Sequence, residues 1–195
     1  MSKAIKPMLV SETPGHKARI MSQPFVYVQP KRDGWCCVAN ARTRKIYTRN
    51  GNEITNLPHI NEGLPEAGPE WLHGELYIEG GNCDDVQRAV KNGDPEKAIG
   101  LFVFDCVLDE EFGSRIERVY DAMSHRPLIW EPHWAVNDTV RPVIHTQIMT
   151  YEIQKFYERY LAEGYEGIII RLTGATYEHG RSINVFKIKP GTEGV

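Results

Sequence analysis

Gln29-Pro30-Lys31-Arg32-Asp33-Gly34 lies between two apolar runs, Phe25-Val26-Tyr27-Val28 before it and Trp35-Cys36-Cys37-Val38-Ala39 after it. The pattern reads as strand, tight turn, strand. Asp-Gly is a turn signal because Gly takes positive φ without steric cost. A lysine held at such a turn, at the rim of a sheet, reaches a ligand while its backbone stays fixed. Alone, Lys-x-Asp-Gly reads first as an ordinary hairpin with a solvated lysine. The rest of the chain has to supply what a reactive lysine needs.

With 195 residues, 41% hydrophobic and 25% charged, the chain has the make-up of a globular protein and is expected to form one domain, 1–195. No apolar run approaches the roughly 20 residues that span a bilayer. The N-terminal residues lack the apolar core of a signal peptide, so a cytoplasmic protein without membrane contact is expected. The four cysteines, Cys36, Cys37, Cys83 and Cys106, have no CxxC spacing and read as reduced, mostly buried thiols. The seven histidines form no ligand-spaced pair, which argues against structural zinc. Net charge is −3, yet between His16 and Asn50 eight basic residues stand against Asp33 alone. So local an excess on an acidic chain suggests a phosphate-facing surface.

Along the chain, residues 1–24 read as a loop-like lead-in with at most one short helix, and 25–49 as two or three strands. Asn50-Gly51 is a hairpin turn signal. Residues 57–70, rich in Pro and Gly, read as a connection, and 71–78 as a strand carrying Glu75 amid apolar neighbours. Asn82 is placed to cap a helix ending near Asn92-Gly93. Residues 99–108 form a continuous apolar run of central-strand character. Ser114-Arg115-Ile116-Glu117 fits a capping box opening a helix, and 127–142 reads as irregular. A short strand is expected over 143–147. Thr150 is expected to cap an amphipathic helix that Gly164 stops. Strands follow at 166–172 and 183–190. Strands with helices inserted singly point to an α+β fold with mostly antiparallel pairing.

Charge at strand ends and inside apolar strands is costly unless it is paired or meets a ligand. Lys31, Arg49, Glu75, Glu166 and the pair Lys187/Lys189 are such features. Lys187 and Lys189 alternate with Ile188 and so point to one side of a strand. Two ammonium groups on one face repel unless something anionic lies between them. Three lysines, an arginine and two carboxylates together suit a polyphosphate with a divalent metal. Cationic neighbours also favour the neutral, nucleophilic form of a lysine.

The ordered set Lys31-x-Asp33-Gly34, Thr48-Arg49-Asn50-Gly51, His73-Gly74-Glu75-Leu76, Val103-Phe104-Asp105, Glu166-Gly167 and Lys187-x-Lys189 resembles the covalent nucleotidyltransferases. It is most similar to the catalytic domain of ATP-dependent DNA ligases, especially the short ones of bacteriophages. Lys6-Pro7-Met8-Leu9 and Gln29-Pro30 resemble that group as well. The resemblance implies an ATP-grasp-like nucleotidyltransferase fold of antiparallel sheets flanked by helices. It also implies a monomer that acts on ATP and nicked duplex DNA, in a bacterial cell or phage-infected host, during replication, repair and recombination.

Residue by residue, it implies that Lys31 takes AMP from ATP through a phosphoramide bond and passes it to the 5′-phosphate of a nick. Glu75 would accept from a ribose hydroxyl, and Phe104 would stack on adenine, with Phe102 as its competitor. Gln29 would belong to the nucleotide site. Glu166, with Asp33 near the metal, would bind Mg²⁺, which Mn²⁺ can replace. Lys187 and Lys189 would hold the α-phosphate. Arg49 would meet nucleotide and nick phosphate, with Arg42 and Arg44 as further DNA contacts. Two departures stand out. Cys36 occupies the place of a family Arg, with Arg42 or Arg44 as its substitutes. The chain also stops at Val195, so the family's C-terminal OB domain is expected to be absent. Arg171, where the family often has Lys, keeps the charge. The alternatives are an RNA ligase, a capping-type guanylyltransferase, and a non-catalytic nucleic-acid-binding relative.

Overall fold

Residues 4–94, 98–123 and 139–192 are described by the structure, a computed structural model. The first half of the chain forms β1 (Met8–Glu12), α1 (Lys17–Met21), β2 (Phe25–Lys31), β3 (Trp35–Asn40), β4 (Lys45–Thr48), β5 (Glu53–Ile54), α2 (Pro58–Gly63), β6 (Trp71–Ile78) and α3 (Cys83–Asn92). The second half forms β7 (Ile99–Cys106), α4 (Phe112–Met123), β8 (Val140–Pro142), β9 (Thr146–Met149), α5 (Ile153–Ala162), β10 (Gly167–Leu172) and β11 (Gly180–Ile188). A single 3-10 turn, Thr150–Glu152, leads into α5. None of the described helices is long and apolar enough to cross a membrane. Seven strand pairs are antiparallel and two are parallel among the described residues. The α+β architecture with mostly antiparallel sheets is therefore what the chain adopts.

The chain divides into two compact units. One comprises Met8–Asp33, Asp109–Gly113 and Ile144–Val195, and its sheet has the order β1-β11-β10-β2-β9. Strand alternation gives this sheet two chemically different faces. Val26 and Val28, Ile168 and Ile170, and Phe186 and Ile188 point to the first face. There they pack with Ile20 of α1 and with Ile153 and Tyr160 of α5 in a continuous core. Each such aliphatic side chain, fully buried, contributes about 1.5–3 kcal/mol. The opposite face carries a smaller apolar cluster of Met8, Ile169 and Val185 and the charged residues described below. The α5 helix presents Phe156, Tyr157 and Tyr160 to the core, and Gly164 ends it at φ +89.

The other unit comprises Met1–Pro7, Gly34–Leu108 and Ser114–Val143, with a sheet of order β5-β4-β3-β6-β7-β8. All eight residues of β7 are buried, as its unbroken apolar run requires. Asn82 caps α3 as expected: its side chain accepts from the backbone N–H groups of Asp84 and Asp85, and Asp85 answers the Asn82 N–H. Asp105, at the end of β7, forms a buried bidentate pair with Arg115 of α4. Arg115 Nε lies 2.8 Å from Oδ1 and its Nη2 3.2 Å from Oδ2.

Several sequence expectations change. β2 and β3 do not form a hairpin. β2 pairs on both sides with β10 and β9, and β3 with β6 and β4, so 32–34 links two sheets. Gly34 accordingly does not serve for positive φ. A Cβ there would stand 2.3 Å from Leu76 O and 2.9 Å from Glu75 Cγ, so Gly permits a close approach of backbones instead. The lead-in contains β1, a strand whose partner β11 lies at the far end of the chain. α2 interrupts the 57–70 connection. α4 opens at Phe112, directly after the acidic residues 109–111, which suit a helix N-terminus, and Ser114 lies inside it rather than at a cap. The strand expected at 143–147 forms over Thr146–Met149. Thr150 does not cap α5, since its buried hydroxyl donates to Gln23 O. Of the irregular stretch 127–142, residues 127–138 lie outside the described residues and Val140–Pro142 forms β8.

Two substitutions test this packing. Gly34→Ala is expected to lower unfolding stability in urea by about 1–3 kcal/mol, the usual range for overpacking. Asp105→Ala strands the Arg115 guanidinium without its counter-charge, and about 3–5 kcal/mol is expected to be lost. An unchanged urea midpoint in either variant contradicts the corresponding contact.

Candidate active site: a lysine-bearing sheet face

Lys31 is the last residue of β2, in register with Gly167 of β10. The backbone N–H of Glu166 donates to Lys31 O at 3.0 Å, which brings the two side chains to the same sheet end. Lys31 Nζ pairs with Glu166 Oε2, and Lys189 Nζ stands 3.6 Å from Glu166 Oε1. Two residues back, Ile169 faces Gln29 on one side and Lys187 on the other. Lys187 in turn faces Glu12 of β1 across the parallel pair, and Lys187 Nζ lies 2.8 Å from Glu12 Oε1. Three ammonium groups therefore share two carboxylates on one half-exposed face. The surplus positive charge favours an anionic ligand.

The backbone beneath this face is tight. A Cβ on Gly167 would meet Ile188 O at 2.1 Å, so only glycine lets β10 and β11 close beside Glu166. Gln29 is buried, and its Oε1 lies 2.7 Å from His145 Nε2 and 3.2 Å from Arg171 Nε. The Arg32 guanidinium lies 5.4 Å from the centroid of the Tyr165 ring, and Asp33 is exposed in the link that follows.

In the other unit, Glu75 of β6 sits between Cys36 of β3 and Phe102 of β7 in register. Directly opposed residues share a face, so these three lie together. The β6–β7 register passes from His73↔Asp105 to Gly74↔Val103, leaving Phe104 as the extra residue of a bulge. Phe104 packs edge-on to His73, 4.5 Å between centroids, and joins Phe102, Val143 and Tyr77 in one cluster. His73 Nε2 lies 3.4 Å from Cys36 Sγ. Cys37 points the other way, and burial pushes its thiol well up from the ordinary value.

The basic segment between His16 and Asn50 is divided between the two units, and much of it is engaged locally. Arg19 donates to Ile183 O and Asn184 Oδ1, and Lys45 pairs with Glu53 at 2.8 Å. Arg44, at φ 52, donates through Nη1 to the carbonyls of Asn61, Glu62 and Leu64 at 3.1–3.2 Å. It satisfies the C-terminal end of α2 and is held there. Arg42 is exposed and 3.6 Å from Glu70, and Arg49 is exposed beside the Asn50-Gly51 turn. The face thus unites Lys31, Glu166, Lys187, Lys189 and Gln29. Glu12, His145 and Arg171 complete it; sequence reasoning assigned the first two no role. Glu12 had no local signal because its partner lies across a parallel pair, and His145 precedes a short strand without periodicity.

Residues 7–189 match the family model for the ATP dependent DNA ligase domain. The chain belongs to that family. It is 27% identical over 206 residues to a DNA ligase of Methanosphaera stadtmanae, covering 96% of this chain and 36% of that protein. It is 25% identical over 148 residues to a DNA ligase of Haemophilus influenzae, covering 75% of this chain and 52% of that one. The chain thus spans about a third to a half of these curated relatives. A Chlorella virus DNA ligase-adenylate structure superposes with a TM-score of 0.75 at 26% identity, covering 95% of this chain and 69% of that one.

The Lys187–Glu12 pair has a signature in pH. The hydrogen bond from Lys187, with the charges of Lys187, Lys189 and Arg181, holds the Glu12 carboxyl below its ordinary value of 4.5. A depressed folded value means that the pair's contribution to stability is present above pH 4.5 and is lost as pH falls through the folded midpoint. Carbon-13 titration of Glu12 is expected to give a midpoint below 4.5, returning toward that value in Lys187→Met. An identical midpoint in both proteins contradicts the pairing.

Proposed function

We propose that this chain is the adenylation domain of an ATP-dependent DNA ligase, with residues 1–195 acting as one functional domain and Lys31 as the nucleophile. One observation carries the reading: Lys31 Nζ meets Glu166, and Lys189 takes the other oxygen of that carboxylate, in a chain of this family. The free amine of Lys31 attacks the α-phosphorus of ATP. A P–N bond forms while the bond to pyrophosphate breaks, and pyrophosphate leaves with the electron pair. One ammonium proton departs before attack, with Glu166 Oε2 the carboxylate in contact with it, and a second leaves the nitrogen as the P–N bond forms, giving the phosphoramide. Lys187 and Lys189 stabilise the charge that gathers on the α-phosphate.

Glu75 serves the ribose and Phe104 the adenine. Arg49, with Arg42, serves the 5′-phosphate and backbone of nicked duplex DNA. Arg44, tied to three carbonyls, is the least suited of the three arginines to that task. The AMP then passes to the 5′-phosphate, and the adjacent 3′-hydroxyl displaces it to seal the strand.

Glu166, with Asp33, would hold Mg²⁺ or Mn²⁺. Magnesium takes hard oxygen donors and commonly uses one or two carboxylates together with substrate phosphates. When bound, the metal supplies charge neutralisation between phosphates.

Incubation with Mg²⁺ and ATP is expected to add one AMP to the intact mass, reversibly on addition of pyrophosphate. Lys31→Ala is expected to abolish the adduct, and with it any transfer to a nicked duplex. Absence of an adduct in the parent under every metal condition, or its persistence in Lys31→Ala, rules the reading out.

A further inference from the structure

The amide of Gln29 is fixed from two sides. A guanidinium has donors and no acceptor, so the Gln29 atom 3.2 Å from Arg171 Nε is the oxygen. That same oxygen lies 2.7 Å from His145 Nε2, which therefore carries a proton. Arg171 thus determines the orientation of Gln29, and Gln29 determines the tautomer of His145. Both lone pairs of Oε1 are taken. What Gln29 has left to offer is the pair of N–H donors on Nε2.

The arrangement is built around one ring. Phe112 stands 5.0 Å from His145 at 67°, 5.2 Å from Tyr27 at 71° and 4.9 Å from the Arg171 guanidinium. Gln29 and Arg171 are 4% and 3% exposed, so neither swings freely. Gln29 shares its face with Lys31, two residues along β2, and faces Lys187 across Ile169.

We infer that His145 is a positioning residue for the nucleotide: with Arg171 it clamps Gln29 so that this side chain meets the base only as a donor. The inference rests on the reading that this lysine face takes ATP. The lysines take phosphate, and Gln29, one strand repeat of about 7 Å away, addresses the nucleoside. The clamped amide then selects a ring nitrogen or carbonyl oxygen on the base edge over an exocyclic amine. A freely rotating glutamine would accept either and would lose more side-chain freedom on binding.

The test has two arms. In the nucleotide-free protein, nitrogen-15 shifts of the His145 ring are expected to report the Nε2–H form, and a neutral Nδ1–H ring overturns the clamp. In lysyl-AMP formation, His145→Phe keeps a ring against Phe112 and removes the donor. Its KM for ATP is expected to rise about 3- to 10-fold, the loss of one hydrogen bond, with the saturated rate unchanged. His145→Gln restores an N–H donor and is expected within about 2-fold of the parent. Gln29→Glu keeps an oxygen for both clamps but loses the outward donors, and its KM is expected to rise about 10-fold or more. An unchanged KM in His145→Phe, or His145→Gln as impaired as His145→Phe, overturns the proposal. If the parent takes up no AMP, the adenylation reading fails, and the ring tautomer still decides the clamp.

Discussion

The register of β10 between β2 and β11 is the constraint on which the lysine face depends. Gly167 faces Lys31, and Ile169 faces both Gln29 and Lys187. Because side chains alternate with a period of two, this one alignment sends Val28, Ile168, Ile170 and Phe186 into the core and their neighbours to the opposite face. A slip of β11 by one residue against β10 would drive Lys187 and Lys189 toward that core and turn Phe186 and Ile188 outward. The apolar face thus fixes the geometry of the polar one. The positions of Lys31 and Lys187 follow from packing that neither of them takes part in.

Two kinds of ion pair in the chain differ in exposure, and the difference tracks what each does. Arg115 and Asp105 are 1% and 0% exposed, joined bidentately, and too costly to separate. They hold α4 against the end of β7. Lys31 and Glu166 are 18% and 27% exposed, and Lys187 and Glu12 are 20% and 54% exposed. Solvent screens these pairs and leaves them weak, so a polyphosphate competes for the ammonium groups on even terms. The two carboxylates keep the cations from repelling each other and remain displaceable.

Much of this was legible in the sequence where a local pattern carried it. The strand at Trp71–Ile78, the capped helix at Cys83–Asn92 and the buried run at Ile99–Cys106 have their bounds in periodicity, caps and apolar content. Lys187 and Lys189 announced their shared side by alternation alone. What depended on partners far along the chain was not legible. β1 has no signal of its own because its partner strand β11 lies some 170 residues away. The supposed hairpin after Lys31 failed because adjacent strands are not always paired strands: β2 and β3 each find both their partners elsewhere. Arg44 looked like a free cation, and only the end of α2 beside it reveals the three carbonyls that hold it. His145 acquires meaning from an oxygen on another strand and a guanidinium on a third.

The pairing of β1 with β11 also sets an order on synthesis. A ribosome releases β1 and β2 early, but β9, β10 and β11 come only after residue 145, so the sheet bearing Lys31 waits for nearly the whole chain. The strands β3 to β7 fall within residues 35–106 and close over short separations, which favours earlier assembly. Until β9 and β10 arrive, β2 is an apolar strand with bare edges, the sort of segment that pairs with whatever is near. The unit that carries Lys31 is thus the one most exposed to misassembly during translation. Its lysine lacks Glu166 and Lys189 until the last strands are in place.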